Sequence, residues 1–283
     1  MILFISDGRL GNQLFQYAFL NTIAQKGEKI IAINMKQFTD TCEIINQNFK
    51  PFYIGKYSLF ILKKLLKPFI LMYLIKLKIL GYIKQNENET GVQSSFSEKK
   101  GLLPIRLVET HFFQSEKFFD KAKIDFTIKQ QYSDVAKDFL NQVPLENSKI
   151  FVHVRRGDYI FESYLGERGI DLPKSYFEKA MYEMTQNVEN PFFIFLSDDV
   201  TFVECCFENI KNKIISKNSM GTDLAIMSQC EYGIVSNSSF SWWGAYFMQN
   251  RKKVIFPKYW YGWKQKIESH VGIQPKWAKV IEV

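Results

Sequence analysis

The residues best suited to chemistry lie in one stretch, KIFVHVRRGDY, at positions 149–159. Its apolar run at 150–154 predicts a buried strand, which Arg155, Arg156 and Asp158 follow closely. In open α/β sheets, ligands bind beyond the carboxyl ends of the strands. Two neighbouring guanidiniums at such a place can grip phosphate through paired N–H donors. A simpler alternative also fits the sequence, in which the arginines are surface residues paired with Asp158.

Two further polar clusters follow predicted strands in the same half of the chain. One is Ser197-Asp198-Asp199, and the other is the serine-rich turn SNSSFS at 236–241, which opens a predicted helix. Since carboxyl ends of parallel strands converge, the three clusters can share one ligand. Hydroxyls and helix-terminal N–H groups suit an anion, and the aspartates suit ribose hydroxyls or a purine N–H edge. The clusters together predict a nucleotide-diphosphate pocket that is positive at one end.

Each cluster also has a purely structural interpretation. Asp198 could simply stabilise a turn, Ser239 could be a helix N-cap, and Trp242-Trp243 could pack in the hydrophobic core.

Strict alternation of strands and helices after residue 150 predicts a doubly wound parallel sheet. Thr222 is the expected N-cap of the third helix. The predicted strands are 150–154, 192–196, 213–216, 232–235 and 253–256, the last of the chain, and the predicted helices are 175–185, 201–209, 222–230 and 239–249.

The amino-terminal half opens with a strand at 2–5, a loop at 6–11, a helix at 12–26 and a strand at 29–34. The loop reads G-x-x-G-N-Q, so the dinucleotide fingerprint is absent. Gly8 and Gly11 permit a tight turn and the close approach of a ligand, although turn geometry alone would explain them equally well. Further along we predict a flexible polar loop at 86–100, a strand at 103–109, a helix at 133–142 and a domain boundary at 144–148.

Residues 56–84, here called the lysine-rich segment, are aliphatic and aromatic, with several lysines and no acidic residue. The longest uncharged run, 68–75, is too short for a spanning helix, which needs about 20 residues. A basic amphipathic hairpin on an anionic membrane fits the pattern. Ordinary core helices with outward-pointing lysines fit it as well.

Composition bounds the class of protein. Hydrophobic residues make up 46% of the 283 residues and aromatic residues 16%, which is ample for a folded core. The net charge of +8 indicates an anionic partner. Four cysteines without metal-ligand spacing, and a start that lacks signal-peptide features, lead us to expect a reduced, intracellular protein.

Five segments resemble the α-1,2-fucosyltransferases, glycosyltransferase family 11. They are GRLGNQLFQYA, HFFQSEKFF, HVRRGDY, FLSDD and DLAIMSQCEYGIVSNSSFSWWGAY, in the order of the family, and they leave mainly residues 35–100 uncovered. HxRRxD recurs in other fucosyltransferases, whereas SNSSFSWWGA together with GNQLFQYA is much more specific.

The resemblance implies an α/β, GT-B-like fold with two Rossmann-like doubly wound domains facing across a cleft. An acceptor-side domain would span 1–146, with an insertion at about 56–84, and a GDP-fucose-binding domain would span 147–283. The implied activity is that of an inverting galactoside α-1,2-fucosyltransferase. It would move L-fucose from GDP-β-L-fucose to O2 of a terminal or subterminal β-galactose, forming Fucα1-2Gal without a metal or other cofactor.

The resemblance also implies a role in the cell and a set of partners. The acceptor would be a galactose-containing glycan of an O-antigen, a lipopolysaccharide or another surface polysaccharide. The enzyme would be cytoplasmic. The pattern of residues 57–84, rather than the resemblance, adds the expectation of peripheral contact with the inner face of the bacterial cytoplasmic membrane. The oligomeric state is not indicated by the sequence.

Site residues carry over by position from the resemblance. Arg155 would hold the diphosphate, with His153 and Arg156 beside it, and Asp158 would orient the arginines; His153 and Asp158 are also the candidate bases. His111 stands where the family has an aromatic residue, so it receives no role. The donor-binding set is Arg155, Arg156, Asp198 or Asp199, Asn237, Ser238 and Ser239, and the acceptor-side set is Gly8, Gly11, Asn12 and Gln13.

The chemistry of fucose transfer agrees with the roles assigned to these residues. Cleavage of the C1–O bond of GDP-fucose builds negative charge on the diphosphate, and fixed donors must stabilise it where no divalent ion does. Asp198-Asp199 is not a D-x-D pair, and no His/Asp group has metal-ligand spacing, so no metal site is predicted.

Two alternatives remain at this point: a fucosyltransferase of the same architecture that makes another linkage, and a non-catalytic protein that binds an anionic surface. A nucleic-acid partner is not expected, because the lysines cluster at 56–84 without interleaved RNA-binding motifs.

Overall fold

Parallel sheets form the centre of both halves of the chain in the computed structural model, which describes residues 1–88 and 91–283. The chain divides into unit 1, Met1–Thr127, and unit 2, Ile128–Val283. The boundary therefore precedes the one expected at 146–147. The reason is helix α5, Gln130–Leu140, which packs on helix α8, Met220–Ser228, of unit 2. The predicted α/β fold class is confirmed.

Unit 1 is built on a six-stranded sheet in the order β4-β2-β1-β7-β5-β6, in which β5 and β6 are antiparallel and all other neighbours are parallel. A separate pair joins β3 to β8. The strands are β1 Ile2–Ile5, β2 Ile30–Ile33, β3 Cys42–Ile44, β4 Phe49–Phe52, β5 Gly81–Asn88, β6 Gly91–Lys99, β7 Arg106–Val108 and β8 Phe126–Ile128; the helices are α1 Leu10–Ile23, α2 Lys36–Thr41, α3 Lys56–Ile61, a π-helix Leu62–Leu71 and α4 Met72–Lys76.

Aromatic residues fill the core of unit 1. The Tyr17 ring of α1 lies 4.6 Å from Phe38, 4.9 Å from Phe49 and 5.4 Å from Phe126, measured between centroids. Edge-on and tilted contacts of this kind stabilise beyond their buried area. Helix α1 begins two residues before its predicted start and ends three before its predicted end, because Ala24 is already extended.

The predicted flexible loop at 86–100 is wrong for the residues described there. Strand β5 continues through 88 and pairs with β6 from 91 onward, while residues 89–90 lie outside the described part of the chain. The buried Gln85 holds the hairpin: its Nε2 donates to the Gln93 carbonyl at 2.8 Å, and its Oε1 accepts from the Phe113 N–H at 3.1 Å. A polar sequence can form this strand because β6 lies at the sheet edge.

From Lys56 to Lys76 the lysine-rich segment forms one continuous helical run through α3, the π-helix and α4, and its end at 81–84 belongs to β5, so the predicted hairpin is wrong. None of these three helices contains a buried residue, and the interpretation as core helices is therefore wrong as well. Pro68 lies inside the π-helix, where its missing N–H prevents regular α-helical hydrogen bonding. Throughout residues 1–88 and 91–283, no helix combines the length and apolarity that a membrane span requires.

Unit 2 contains a six-stranded, fully parallel sheet in the order β13-β12-β9-β14-β15-β16. Apolar side chains of β9 and α6, including Val152 and Phe177, share its buried core. The strands are β9 Ser148–Val154, β12 Pro191–Ser197, β13 Lys213–Ile215, β14 Tyr232–Ile234, β15 Lys253–Pro257, β16 Lys279–Ile281 and a hairpin of β10 Ser163–Tyr164 with β11 Glu167–Arg168; the helices besides α5 and α8 are α6 Lys174–Asn187, α7 Val200–Cys206 and α9 Ser239–Tyr246.

Two predictions for unit 2 are corrected. The strand at 253–256 is not the last, because β16 adds to the edge beside β15. The N-cap of α8 is Ser219, whose Oγ accepts from the Thr222 N–H at 3.3 Å, so Thr222 lies inside the helix.

Candidate functional site

The three polar clusters of unit 2 lie at one edge of its sheet, as predicted. β9 pairs with β12 on one side and with β14 on the other, all in parallel. The register places Ser197 opposite Val154 and Ile234 opposite Val152, so the loops that follow the three strands emerge together. Direct contacts between the clusters follow from this arrangement.

Arg155 lies between the first two clusters. One Nη atom donates to Asp198 and the other to Asp158. Its guanidinium also lies over the Tyr159 ring, 4.9 Å from the centroid, and only 11% of the side chain is exposed. These ion pairs engage two of the five N–H donors of a guanidinium. The pairing with Asp158, which was the structural alternative, is therefore present, and further donors remain for a ligand.

Arg156 is fixed more tightly than Arg155. Its Nε donates to Asp199 at 3.2 Å, its Nη1 donates to Asp171 at 3.2 Å, and its guanidinium lies 3.8 Å from the Phe202 ring centroid. Its backbone N–H donates to Asp198 Oδ1 at 2.9 Å. Asp199 additionally caps α7 by accepting from the Phe202 N–H at 3.0 Å. Arg156 and Asp199 therefore stabilise the loops that follow β9 and β12.

The charge at this edge differs from the positive pocket that the sequence predicted. Two guanidiniums face four carboxylates in the ion pairs that link the loops. A diphosphate ligand at this edge would meet an Arg155 guanidinium that is already paired with two carboxylates. We infer that the carboxylates pre-orient the guanidinium before the ligand binds.

His153 lies inside β9 and is only 5% exposed. Its Nδ1 is 2.8 Å from Ser236 Oγ, which joins the first cluster to the third. Burial, with the Arg155 charge nearby, lowers the pKa of His153 to about 3. The imidazole is therefore neutral at neutral pH. Burial, with Nδ1 engaged by Ser236, keeps the ring from an acceptor hydroxyl, which argues against His153 as the group that takes the acceptor proton.

The serine-rich turn opens α9 with Ser238 as the N-cap, whose Oγ accepts from the Phe240 N–H at 3.3 Å. The structural alternative that made Ser239 the cap is therefore wrong by one residue. The Asn237 side chain is fully buried and donates to the Ile170 carbonyl at 2.6 Å, so it shapes the turn. Trp242 and Trp243 are fully buried, as the core interpretation predicted.

Several residues at this edge had no assigned role in the sequence analysis. The Tyr159 hydroxyl lies 3.0 Å from that of Tyr261, and it donates to the Asn237 carbonyl at 3.4 Å. The Tyr261 ring in turn contacts His270, whose two buried nitrogens have no hydrogen-bond partner among the described residues. Buried polar atoms of this kind mark places where a ligand atom could complete a hydrogen bond. Only Tyr159, inside HVRRGDY, carried a signal in the sequence.

The predicted acceptor-side residues lie together in unit 1, around the loop from β1 to α1. Gly8 has φ +79°, and Asn12 Oδ1 accepts from Gln114 Nε2 at 2.7 Å. Gln13 is 5% exposed, with its amide donating to the Gly8 carbonyl and accepting from the Phe38 N–H. Gln13 therefore holds the turn, and Gly11 is buried in the first turn of α1. Of the four, Gly8 and Asn12 lie nearest to solvent.

Possible metal ligands are sparse. Within the ranges that the structure describes, no group of three or more His, Cys, Asp or Glu side chains is placed to hold a metal ion. The four cysteines, Cys42, Cys205, Cys206 and Cys230, are all free thiols.

A doubly wound sheet with arginines and a helix N-terminus at its carboxyl edge is an α/β architecture of the kind that commonly binds nucleotides. Comparison with known families then identifies the particular one. Residues 1–280 match glycosyl transferase family 11, so the chain belongs to this family. The resemblance seen in the sequence motifs is confirmed.

Curated relatives include bacterial and mammalian enzymes. An α-1,2-colitosyltransferase of Escherichia coli is 26% identical over 293 aligned positions, which cover 96% of each chain. The O-antigen biosynthesis glycosyltransferase WbnK of Escherichia coli is 33% identical over 120 residues, 41% of this chain and 40% of WbnK. Galactoside α-(1,2)-fucosyltransferase 2 of Mus musculus is 27% identical over 134 residues, 43% of this chain and 38% of that protein. The chain thus matches less than half the length of the last two.

Solved structures agree on the fold. A glycosyl transferase family 9 protein from Veillonella parvula superposes with a TM-score of 0.54 at 15% identity, covering 100% of this chain and 86% of that one. The NodZ α-1,6-fucosyltransferase co-crystallised with GDP gives a TM-score of 0.53 at 10% identity, covering 86% of this chain and 91% of that one. Identities this low show a shared fold alone, and the likeness agrees with the GT-B-like assignment.

Proposed function

We propose that the protein is an inverting galactoside α-1,2-fucosyltransferase that takes L-fucose from GDP-β-L-fucose and builds Fucα1-2Gal on an O-antigen or related surface glycan. The observation that carries the proposal is the convergence of Arg155, Asp198 and the α9 N-terminus at one sheet edge. Family membership and the α-1,2 activities named for relatives support the reaction type.

The proposed chemistry begins with the leaving group. As the C1–O bond of the donor breaks, the diphosphate gains charge, and donors already in place stabilise it without reorganising. Arg155 supplies guanidinium donors, and α9 supplies N–H groups and its positive dipole end. Asp198 fixes both the Arg155 side chain and the Arg156 N–H, so it positions the donors and need not touch the nucleotide.

The proton of the acceptor hydroxyl needs a different route from His153. Asp158, with 43% of its side chain exposed, is the more accessible of the two candidate bases. Its exposure lets an acceptor hydroxyl reach the carboxylate, which the buried His153 ring does not allow. We therefore assign Asp158 two tasks in the proposal: orienting Arg155 and receiving the proton in a single displacement.

A second candidate function is transfer of colitose, because the relative that covers 96% of each chain is an α-1,2-colitosyltransferase. Colitose is L-fucose without the hydroxyl at C3. A site that hydrogen-bonds this hydroxyl rejects the deoxy sugar strongly, whereas an apolar site discriminates little. Paired kcat/KM measurements with GDP-fucose and GDP-colitose therefore separate the two donors.

The decisive experiment is incubation of the enzyme with GDP-fucose and a panel of galactosides, with the linkage of the product determined by NMR. We expect a new fucosyl unit on O2 of galactose. A product fucosylated elsewhere would support the related enzyme that makes another linkage.

Ligand binding provides a second test that does not need the acceptor. A thermal-shift comparison should show stabilisation by GDP, less by UDP and none by an oligonucleotide. Equal shifts with all three would instead favour the non-catalytic anion-binding alternative.

A further inference from the structure

The lysine-rich segment exposes large apolar side chains at spacings of three and four residues along its helices. Single exposed apolar residues are common, but a contiguous patch marks an interaction site. Nine large apolar side chains of the segment are each at least 40% exposed: Tyr57, Phe60, Ile61, Leu65, Leu66, Phe69, Ile70, Tyr73 and Leu77. We call this set the outer face.

The opposite side of the same helices attaches them to unit 1. Lys63 Nζ lies 3.3 Å from Asp7 Oδ2, just beyond the end of β1. Lys67 is drawn toward Glu109, which follows β7, and burial lowers the pKa of Lys67. Leu62 and Leu71 are half-buried on this inner side. Two lysines thus turn inward, contrary to the expectation that all of them point outward, and the outer face is left without a role in packing.

The charged residues around the outer face indicate what kind of partner this surface contacts. Four exposed lysines lie in these helices or just after them, Lys56, Lys64, Lys76 and Lys78, while the exposed Lys84 of the segment lies in β5. No acidic residue occurs anywhere from 56 to 84. An apolar helical face flanked by lysines is the pattern of helices that lie in the headgroup region of anionic membranes. A second copy of the chain would instead bring these lysines against one another.

We propose that the outer face is a docking surface for an anionic lipid bilayer, with its aromatic and aliphatic side chains inserted among the headgroups and the four exposed lysines at the phosphates. The helices lie along the membrane plane, since none of those described can span it. Unit 1 is then held with its loop after β1 beside the lipid surface, because Asp7 pairs with Lys63 of the same helices. The inference does not depend on which sugar is transferred.

Vesicle flotation with the full chain tests the proposal. Phosphatidylcholine vesicles containing phosphatidylglycerol should carry the protein, and pure phosphatidylcholine should carry at least about tenfold less. High salt should release part of the bound protein, because screening weakens the lysine contacts. Equal binding to both vesicle types, or binding to neither, overturns the proposal.

Matched variants locate the surface. Phe69→Gln with Tyr73→Gln replaces two side chains that are 71% and 59% exposed, and should reduce flotation about tenfold or more. Leu145→Gln with Tyr182→Gln, at 98% and 68% exposure outside the segment, should bind like the wild type. Equal flotation of the two double variants would place the contact elsewhere.

Two controls distinguish an anionic bilayer from a neutral lipid surface and from a second copy of the chain. Gln at all four exposed lysines should abolish the preference for phosphatidylglycerol, and unchanged binding would contradict the lipid contact. Sedimentation velocity without lipid should show one species for the wild type and for the Phe69→Gln, Tyr73→Gln variant. A dimer that only the wild type forms would assign the face to self-association and overturn the proposal. Transfer to a soluble acceptor, measured in parallel, reports on the enzymatic proposal independently.

Discussion

Arg155 differs from its neighbour in how its donors are used. The Arg156 guanidinium donates to Asp199 and Asp171 and lies over the Phe202 ring. The Arg155 guanidinium is oriented by two carboxylates and keeps donors for a ligand. We therefore expect Arg155→Ala to lower kcat by about 10²–10³, the typical cost of losing one donor to developing charge, with a smaller change in KM. Arg155→Lys should recover little, because lysine lacks the planar fork.

The control for this series is Arg168→Lys, which changes an exposed arginine of β11 in the same unit. Circular dichroism should show all variants folded, since Arg155 lies beyond the strand end. An Arg155→Ala enzyme that is folded and keeps more than about a tenth of wild-type kcat would show that the leaving group is stabilised elsewhere.

Asp223 supports a prediction about pH. Burial raises its pKa from 3.8 to about 7, although the Ser216 hydroxyl donates to its Oδ1 at 2.5 Å. Between about pH 4 and 7 the native state therefore holds a proton that the unfolded state has released, so stability should fall as pH rises through this window. Asp223→Asn removes the titration and should raise the free energy of unfolding at about pH 8 by about 2–4 kcal/mol.

Urea unfolding at about pH 5 and about pH 8 measures the effect. The exposed Asp138→Asn variant on α5 serves as the control and should follow the wild type. If Asp223→Asn kept the full pH dependence of the wild type, another group would be responsible.

At the scale of elements, α5 belongs to unit 2 because it packs on α8, so unit 2 begins before α5. Gly221 lies in α8, and a Cβ placed there would come 2.8 Å from ring atoms of Tyr132 in α5. Alanine gains about 1 kcal/mol in helix propensity over glycine, and overpacking costs about 1–3 kcal/mol. We expect Gly221→Ala to destabilise on balance, and to become stabilising when Tyr132→Ala removes the ring.

A double-mutant cycle by urea denaturation measures this change of sign. Gly55→Ala is the matched control, because a Cβ there meets nothing within 4 Å. Additive effects of Gly221→Ala and Tyr132→Ala would mean that α5 does not pack on α8 in solution.

The strands and loops of the fold differ in how well the sequence predicts them. The strands β9, β12 and β14 were predictable because buried parallel strands read as apolar runs, and the loops after them carried the site. The hairpin of β5 and β6 was missed because an edge strand can be polar on both faces. Asp171 and Tyr261 reach the site through tertiary contacts from distant loops, and no local pattern marks them.

At the scale of the whole molecule, the net charge of +8 does not concentrate at the predicted nucleotide pocket. The nucleotide-site candidate holds more carboxylates than guanidiniums in its ion pairs, while exposed lysines flank the outer face of the lysine-rich segment. The exposed lysines of the segment and the candidate nucleotide site therefore belong to different units of the chain. Salt should weaken vesicle binding more than GDP binding, because exposed charges are screened and partly buried ones much less.

Catalysis without a divalent cation is the last prediction at this scale. The described residues offer no cluster of three or more metal-ligating side chains, and Asp198 and Asp199 are both committed to arginines. Arg155 and the α9 N-terminus are the positive groups available for the leaving diphosphate. We expect excess EDTA to leave the rate of transfer near its untreated value, and added Mn²⁺ or Mg²⁺ to change it little. Loss of activity in EDTA that either ion restores would mean that the leaving group depends on a metal, and Arg155 would then have to be reinterpreted as a structural residue of the loop.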